Sequence, residues 1–200
     1  MTSSHQDPAP CQWFAHLAGV LDRRSVPRLI GLFLGAVLAR GRRTVTSWIR
    51  AAGLSRQYQR CYTTVAAAGK QAEVIAARLF GMAVKPLVAE MPRITLAIDD
   101  TPTQRYGPLV QGAGIHHNPT PGPAGSPYVY GHIWVVLGLL AVHPAWGIIA
   151  LPLLARMYVR AKDLPGINPK HRPEFRTRLE LAVELLRWAY TWLKYTGKPL

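Results

Sequence analysis

Apolar residues recur at helical spacing along the first ninety positions: Trp13, Phe14, Leu17, Val20 and Leu21, then Leu29, Ile30, Phe33, Leu34, Val37 and Leu38. Ser25 ahead of Val26-Pro27 reads as an N-cap followed by a proline in the first turn. After Gly41-Arg42-Arg43, Thr44 is placed to cap a short helix through Trp48 and Ile49 that ends at Gly53. A fourth helix is expected from Tyr58 to Ala68 and a fifth from Gln71 to about Val88. Residues 1–90 therefore read as an all-helical module.

The texture changes after Met91-Pro92. Arg93 to Ile98 is a β-rich apolar run that ends in Asp99 and Asp100, followed by Thr101-Pro102. Gln104 to Pro127 carries little period and reads as a long loop, Pro- and Gly-rich from Asn118 onward. Tyr128 to Val142 and Trp146 to Val159 predict two long strands around a corner at His143, Pro144 and Gly147, with Trp134 and Trp146 shielded within the sheet. Pro152 implies an edge position or a bulge in the second strand. A linker from Lys162 to Arg172 leads to a helix from Pro173 to about Tyr195, with Phe175, Leu179, Ala182, Val183, Leu186, Ala189, Tyr190 and Leu193 at helical spacing and Gly197 closing it. The fold class is α+β: a helical module, then residues 91–200 in the order strand, hairpin, helix.

Ile133 to Leu154 spans 22 residues without a formal charge, long enough for a membrane span. The turn group at its middle divides it into two strand-length flanks, so a buried hairpin is the preferred reading and a small membrane protein the outsider. The formal net charge of +14 and the pI near 10.5 point to a polyanionic partner, nucleic acid before an anionic membrane surface. Up to residue 90, twelve Lys and Arg stand against four Asp and Glu. Arg40, Arg42, Arg43, Arg50, Arg56 and Arg60 gather around two short helices joined at Gly53, the layout of a helix-turn-helix; a solvated basic face is the competing reading. Cys11 and Cys61 lack zinc-site spacing, and the N-terminal residues lack a secretory pattern, so a cytoplasmic location is expected.

Asp99 and Asp100 are the one adjacent pair among ten carboxylates. On a strand they point to opposite faces, so one of them at most faces a given site. A carboxylate among apolar residues needs hydrogen bonds or a cation, and its hard oxygens suit Mg²⁺ or Mn²⁺. A turn at Asp99-Asp100-Thr101-Pro102 is the bland alternative. Neighbouring His116 and His117 diverge in an extended segment, and with His132 they offer no third ligand at metal spacing.

Ile98-Asp99-Asp100-Thr101, Thr103-Gln104-Arg105-Tyr106-Gly107, the Gly112 to His117 segment, Gly131-His132-Ile133-Trp134, the hairpin ending Ala150 to Leu154, and Gly41 to Thr46 ahead of Gly53-Leu54 together resemble the N-terminal portion of a bacterial insertion-sequence transposase of the DDE type. The resemblance implies an RNase H-like catalytic domain in which three carboxylates hold two Mg²⁺ or Mn²⁺ ions for phosphodiester cleavage and strand transfer. It implies double-stranded DNA at transposon ends as partner, with room for a homo-oligomer and no membrane. The first carboxylate corresponds to Asp99, in an Asp-x-Thr pattern and also the metal ligand, with Asp100 as fallback. The family's second Asp and its Glu are expected beyond the last helix, so the chain reads as truncated and inactive by itself. A catalytically dead DNA-binding regulator or remnant is the alternative.

Overall fold

The computed structural model describes residues 10–41, 44–89, 91–107, 110–118, 125–143 and 145–198. Arg42, Arg43, Pro144 and residues 119–124 of the Pro-rich loop lie outside the described residues. The chain divides into two compact units, residues 1–86 and 87–200.

In the first unit the expected helices form as α1 (Pro10–Ala18), α2 (Val26–Leu38), α3 (Val45–Ala51) and α4 (Tyr58–Lys70). Thr44 caps α3, its hydroxyl accepting from the Ser47 backbone N–H at 3.2 Å. Gly53 takes a left-handed φ of 68° where α3 ends. Ser25 does not cap α2 with its side chain; instead the Asp22 carboxylate accepts from the N–H groups of Arg24 and Ser25, three residues ahead of the expected cap. The fifth helix is interrupted: α5 (Ala72–Leu79) passes through a π-helical turn, Phe80–Val84, into α6 (Lys85–Ala89). Pro86 lies in α6 and, lacking an N–H, cannot close the usual bond to residue 82, which is where the chain rewinds.

Leu32, Ile49 and Cys61 form the buried centre of this unit, with Val45, Trp48, Leu54 and Val65 packed against it. Gly35 is buried where α2 crosses α3; a Cβ there would lie 2.1 Å from the Trp48 carbonyl oxygen. Leu29, Leu32 and Gly35 form the inward stripe of α2, whereas Val37 and Leu38, expected to pack, are exposed past the end of the crossing.

The second unit is a four-stranded antiparallel sheet of β1 (Thr95–Gln104), β2 (Gly114–His117), β3 (Tyr128–His143) and β4 (Gly147–Tyr158), backed by α7 (Arg178–Leu193). β3 is central. β1 pairs along it from Thr95↔Leu140 to Gln104↔Gly131, and β4 pairs with the same stretch, so the two occupy opposite edges. Gly131 also pairs with Gly114, which puts β2 on the edge shared with β4. The hairpin turns at Gly147, φ 70°, and His143 Nδ1 accepts from the N–H groups of Ala145 and Trp146. Pro152 sits at a register shift opposite Gly138, on a strand whose outer edge is unpaired among the described residues.

Ile133, Val135, Leu137, Leu139 and Ala141 line one buried face of β3, against Leu181, Leu185, Ala189 and Leu193 of α7. Trp146 is a correction: it is 74% exposed at the hairpin tip, stacked on His143, because the tip projects past the ground that α7 covers. No helix among the described residues is long and apolar enough to cross a membrane, and Ile133 to Leu154 is the hairpin.

α7 starts five residues later than expected. Thr177 and Glu180 close a capping box, with the Thr177 hydroxyl accepting from the Glu180 N–H and the Glu180 carboxylate accepting from the Thr177 N–H at 2.7 Å. The buried stripe is also different: Leu179, Val183, Leu186 and Tyr190 are exposed. Apolar residues run around most of this helix, so spacing alone leaves two stripes, and the sheet takes the one repeating every four residues. Glu184 is not on a solvated face either. It bridges Arg156 of β4 and Arg176, pinning the helix to the sheet.

Candidate functional site

β1 runs six residues further than the sequence predicts, so Asp99 and Asp100 lie in mid-strand and not at its end or in a turn. Pro102 does not break it, because β1 has one unpaired edge among the described residues, where a missing N–H costs no ladder bond. Asp99 stands opposite Val136 and Asp100 opposite Val135. Since Val135 belongs to the face packed on α7, Asp100 faces the helix and Asp99 the opposite, open face.

The two carboxylates differ in what they hold. Asp99 is exposed; its Oδ1 accepts from the Asp100 N–H at 2.8 Å, and no cationic side chain pairs with it among the described residues. Asp100 is half-buried and ion-paired with Arg178, whose guanidinium lies over the Tyr158 ring at 5.1 Å. Arg178 was not singled out by the sequence, although a signal exists: it opens α7, where the helix dipole favours an acid.

The donor chemistry of Asp99 fits a hard divalent cation as one ligand among several. Thr101 shares its face, and no group of three His, Cys, Asp or Glu residues stands together among the described residues. Of the other acids, Asp163 pairs with Arg160 at 2.5 Å, and Glu180 and Glu184 are spent on the cap and on Arg156.

His116 and His117 diverge as expected, His116 buried and His117 exposed. His116 Nε2 is buried without a hydrogen-bond partner among the described residues, and burial, reinforced by the charges of Arg160 and Arg178, pushes its pKa down. His132 is fixed differently: Arg105 Nε donates to its Nδ1 at 3.2 Å, so Nε2 carries the proton and donates to the Gln111 carbonyl at 3.0 Å. Trp134 Nε1 donates to the Thr103 hydroxyl at 3.0 Å, which ties the open faces of β1 and β3 together beside Asp99.

Acid should loosen this unit in two stages. His116 has a folded pKa below its ordinary 6.5, so the unfolded chain binds the extra proton and stability falls as pH drops below about 6.5. Partial burial raises the Glu184 carboxyl, but the hydrogen bond and charge of Arg156, with Arg176, override it and leave the pKa lowered. The stability from Glu184 is therefore full above its ordinary 4.5 and is lost as pH falls below it. Urea midpoints measured from pH 7 to about pH 3 should show both steps, and His116→Gln should remove the upper one while Glu184→Gln shrinks the lower, to which Glu180 also contributes.

In the first unit Arg40, Arg50, Arg56 and Arg60 are all exposed, on or beside α2, α3 and α4. None forms an ion pair among the described residues; Arg42 and Arg43 lie outside them. α3 and α4 are joined through Gly53 and a 3-10 turn, Ser55–Gln57, although α4 has 13 residues and is not short. Trp48 packs against the core, as expected of it.

No curated relative and no solved structure matches the chain. The model of one family, described as DDE superfamily endonuclease, matches residues 16–194, covering the helical unit and the sheet with its acid pair. One family pattern thus spans the basic helices, the acid-bearing strand, the hairpin and the last helix of this chain, and the chain belongs to the DDE superfamily endonucleases.

Proposed function

We propose that this chain is a transposase-type DDE protein of insertion-sequence character that binds double-stranded DNA through its helical unit and presents Asp99 as a ligand for a divalent cation. The observation that carries the reading is the family match over residues 16–194, with an uncommitted carboxylate exposed on the first strand of the sheet. Mg²⁺ or Mn²⁺, when bound, supplies stabilisation of the charge that builds on phosphodiester oxygens during cleavage. Asp99 is the residue that would hold it, with Asp100 the second choice because Arg178 already neutralises it.

The chain's own groups do the positioning. The β1–β3 ladder fixes the Asp99 backbone, the Trp134–Thr103 bond stiffens the neighbouring surface, and the Arg178–Asp100 pair holds the start of α7 on the other face. The described residues place one carboxylate on each face of β1, so cleavage and strand transfer need carboxylates other than these. Binding of DNA without cleavage, as in a regulator or remnant, is the activity expected of this chain alone. Duplex titration over a salt series tests the binding half, and Mn²⁺ line broadening at Asp99 tests the metal half.

A further inference from the structure

On the surface of the first unit, the Thr46 hydroxyl of α3 lies 2.9 Å from the Tyr58 hydroxyl and 2.9 Å from the Tyr62 hydroxyl of α4. The two rings, 5.3 Å apart, are both partly exposed, and Arg50 stands one turn beyond Thr46 on α3. We propose that Thr46, Tyr58 and Tyr62, with the Arg50 guanidinium, form a clamp for one backbone phosphate of nucleic acid. The inference rests on the helical unit being the DNA interface and specifies how that surface grips.

The hydrogen-bond inventory of the cluster points outward. Three hydroxyls bring three O–H donors that meet one another around Thr46, and those of the exposed Tyr58 and Tyr62 can turn toward an external acceptor. Arg50 adds guanidinium N–H groups and no acceptor, and it has no carboxylate partner among the described residues. The Thr46 bond, then the Tyr62 bond, and last the charge of Arg50 hold the Tyr58 hydroxyl below its ordinary pKa. The surrounding sequence keeps anions away: from Arg23 to Ala72 there are ten Lys and Arg and no Asp or Glu. Exposed hydroxyls beside a guanidinium without a carboxylate partner among the described residues, in a stretch without acids, suit a phosphodiester oxygen. Such a contact sets position on the backbone and reads no base.

The test uses the full chain and a labelled random-sequence DNA duplex, followed by fluorescence anisotropy. Tyr58→Phe with Tyr62→Phe keeps both rings and removes only the hydroxyls; it should weaken binding about tenfold, equally on unrelated sequences, with the salt slope unchanged. Arg50→Gln should reduce the salt slope by about one. Far-ultraviolet circular dichroism of each variant shows whether the helices are kept, and fluorine signals from 3-fluorotyrosine at positions 58 and 62 in the otherwise unaltered chain should shift on duplex addition. If the double Phe variant, with its helices kept, binds like the unaltered chain, or the fluorine signals stay in place while DNA binds, the clamp is wrong and the DNA interface stands elsewhere on the unit. If the unaltered chain binds no duplex, the DNA reading fails and the clamp with it.

Discussion

Raising the salt from about 50 to 200 mM should weaken duplex binding by the chain about 10³–10⁵-fold, the loss expected when about six to ten phosphates are neutralised and their counterions released. The magnitude follows from the first unit's charge. Arg40, Arg50, Arg56 and Arg60 are exposed and unpaired among the described residues, and Arg42 and Arg43 are adjacent in sequence. A face that is merely solvated has no ordered phosphates to displace ions from and would give a shallow slope. Replacing Arg56 and Arg60 together by Gln should therefore flatten the slope by about two while leaving the helices folded. Anisotropy titrations at four or five salt concentrations measure it.

Gly35→Ala should cost the first unit about 2–4 kcal/mol, among the largest effects open to a single methyl group. The added Cβ would stand 2.1 Å from the Trp48 carbonyl oxygen, 2.8 Å from its carbon and 3.1 Å from Trp48 Cα. All three are backbone atoms, so no rotamer change relieves the clash, and α2 and α3 have to part. Parting them opens the cluster of Leu32, Ile49 and Cys61. In an unobstructed helix the same change gains about 1 kcal/mol from propensity, too little to offset the separation. Gly69 of α4 supplies the comparison, since a Cβ there meets nothing within 4 Å. Gly69→Ala should stabilise by about 0.5–1 kcal/mol. Urea unfolding of the two variants decides it; equal and small effects would mean that the helices do not cross at Gly35.

The sequence signals that proved readable are local ones. Thr44 and Gly53 bracket α3 because a cap and a left-handed glycine act within a few residues. The opposite faces of Asp99 and Asp100 follow from the two-residue period of a strand, and the bulge at Pro152 from a missing N–H. What escaped depends on distant partners. The extension of β1 through Pro102 needs β3 as a template, and the four residues of β2 are too few to show a period. The inward stripe of α7 is chosen by the sheet, and the Arg178–Asp100 pair joins residues 78 positions apart. Ser25 stands at the N-cap position of α2 without a side-chain bond because its backbone is helical there, and Asp22 takes up the N–H groups of the turn ahead of it. Thr46, Tyr58 and Tyr62 meet across two helices, a proximity that helical spacing within either one does not reveal.

The central claim, that the exposed first-strand carboxylate is the cation ligand, is tested most directly by titrating Mn²⁺ into the isotope-labelled chain and following amide line widths. Asp99 is free of cationic partners among the described residues, whereas Arg178 holds Asp100, so the first signals to broaden should be those of Asp99, Asp100 and Thr101, with Val135 and Val136 across the ladder. Asp99→Asn should abolish that broadening, and Asp100→Asn should leave most of it. Broadening that survives Asp99→Asn and disappears with Asp100→Asn would contradict the assignment and move the site to the face beneath α7.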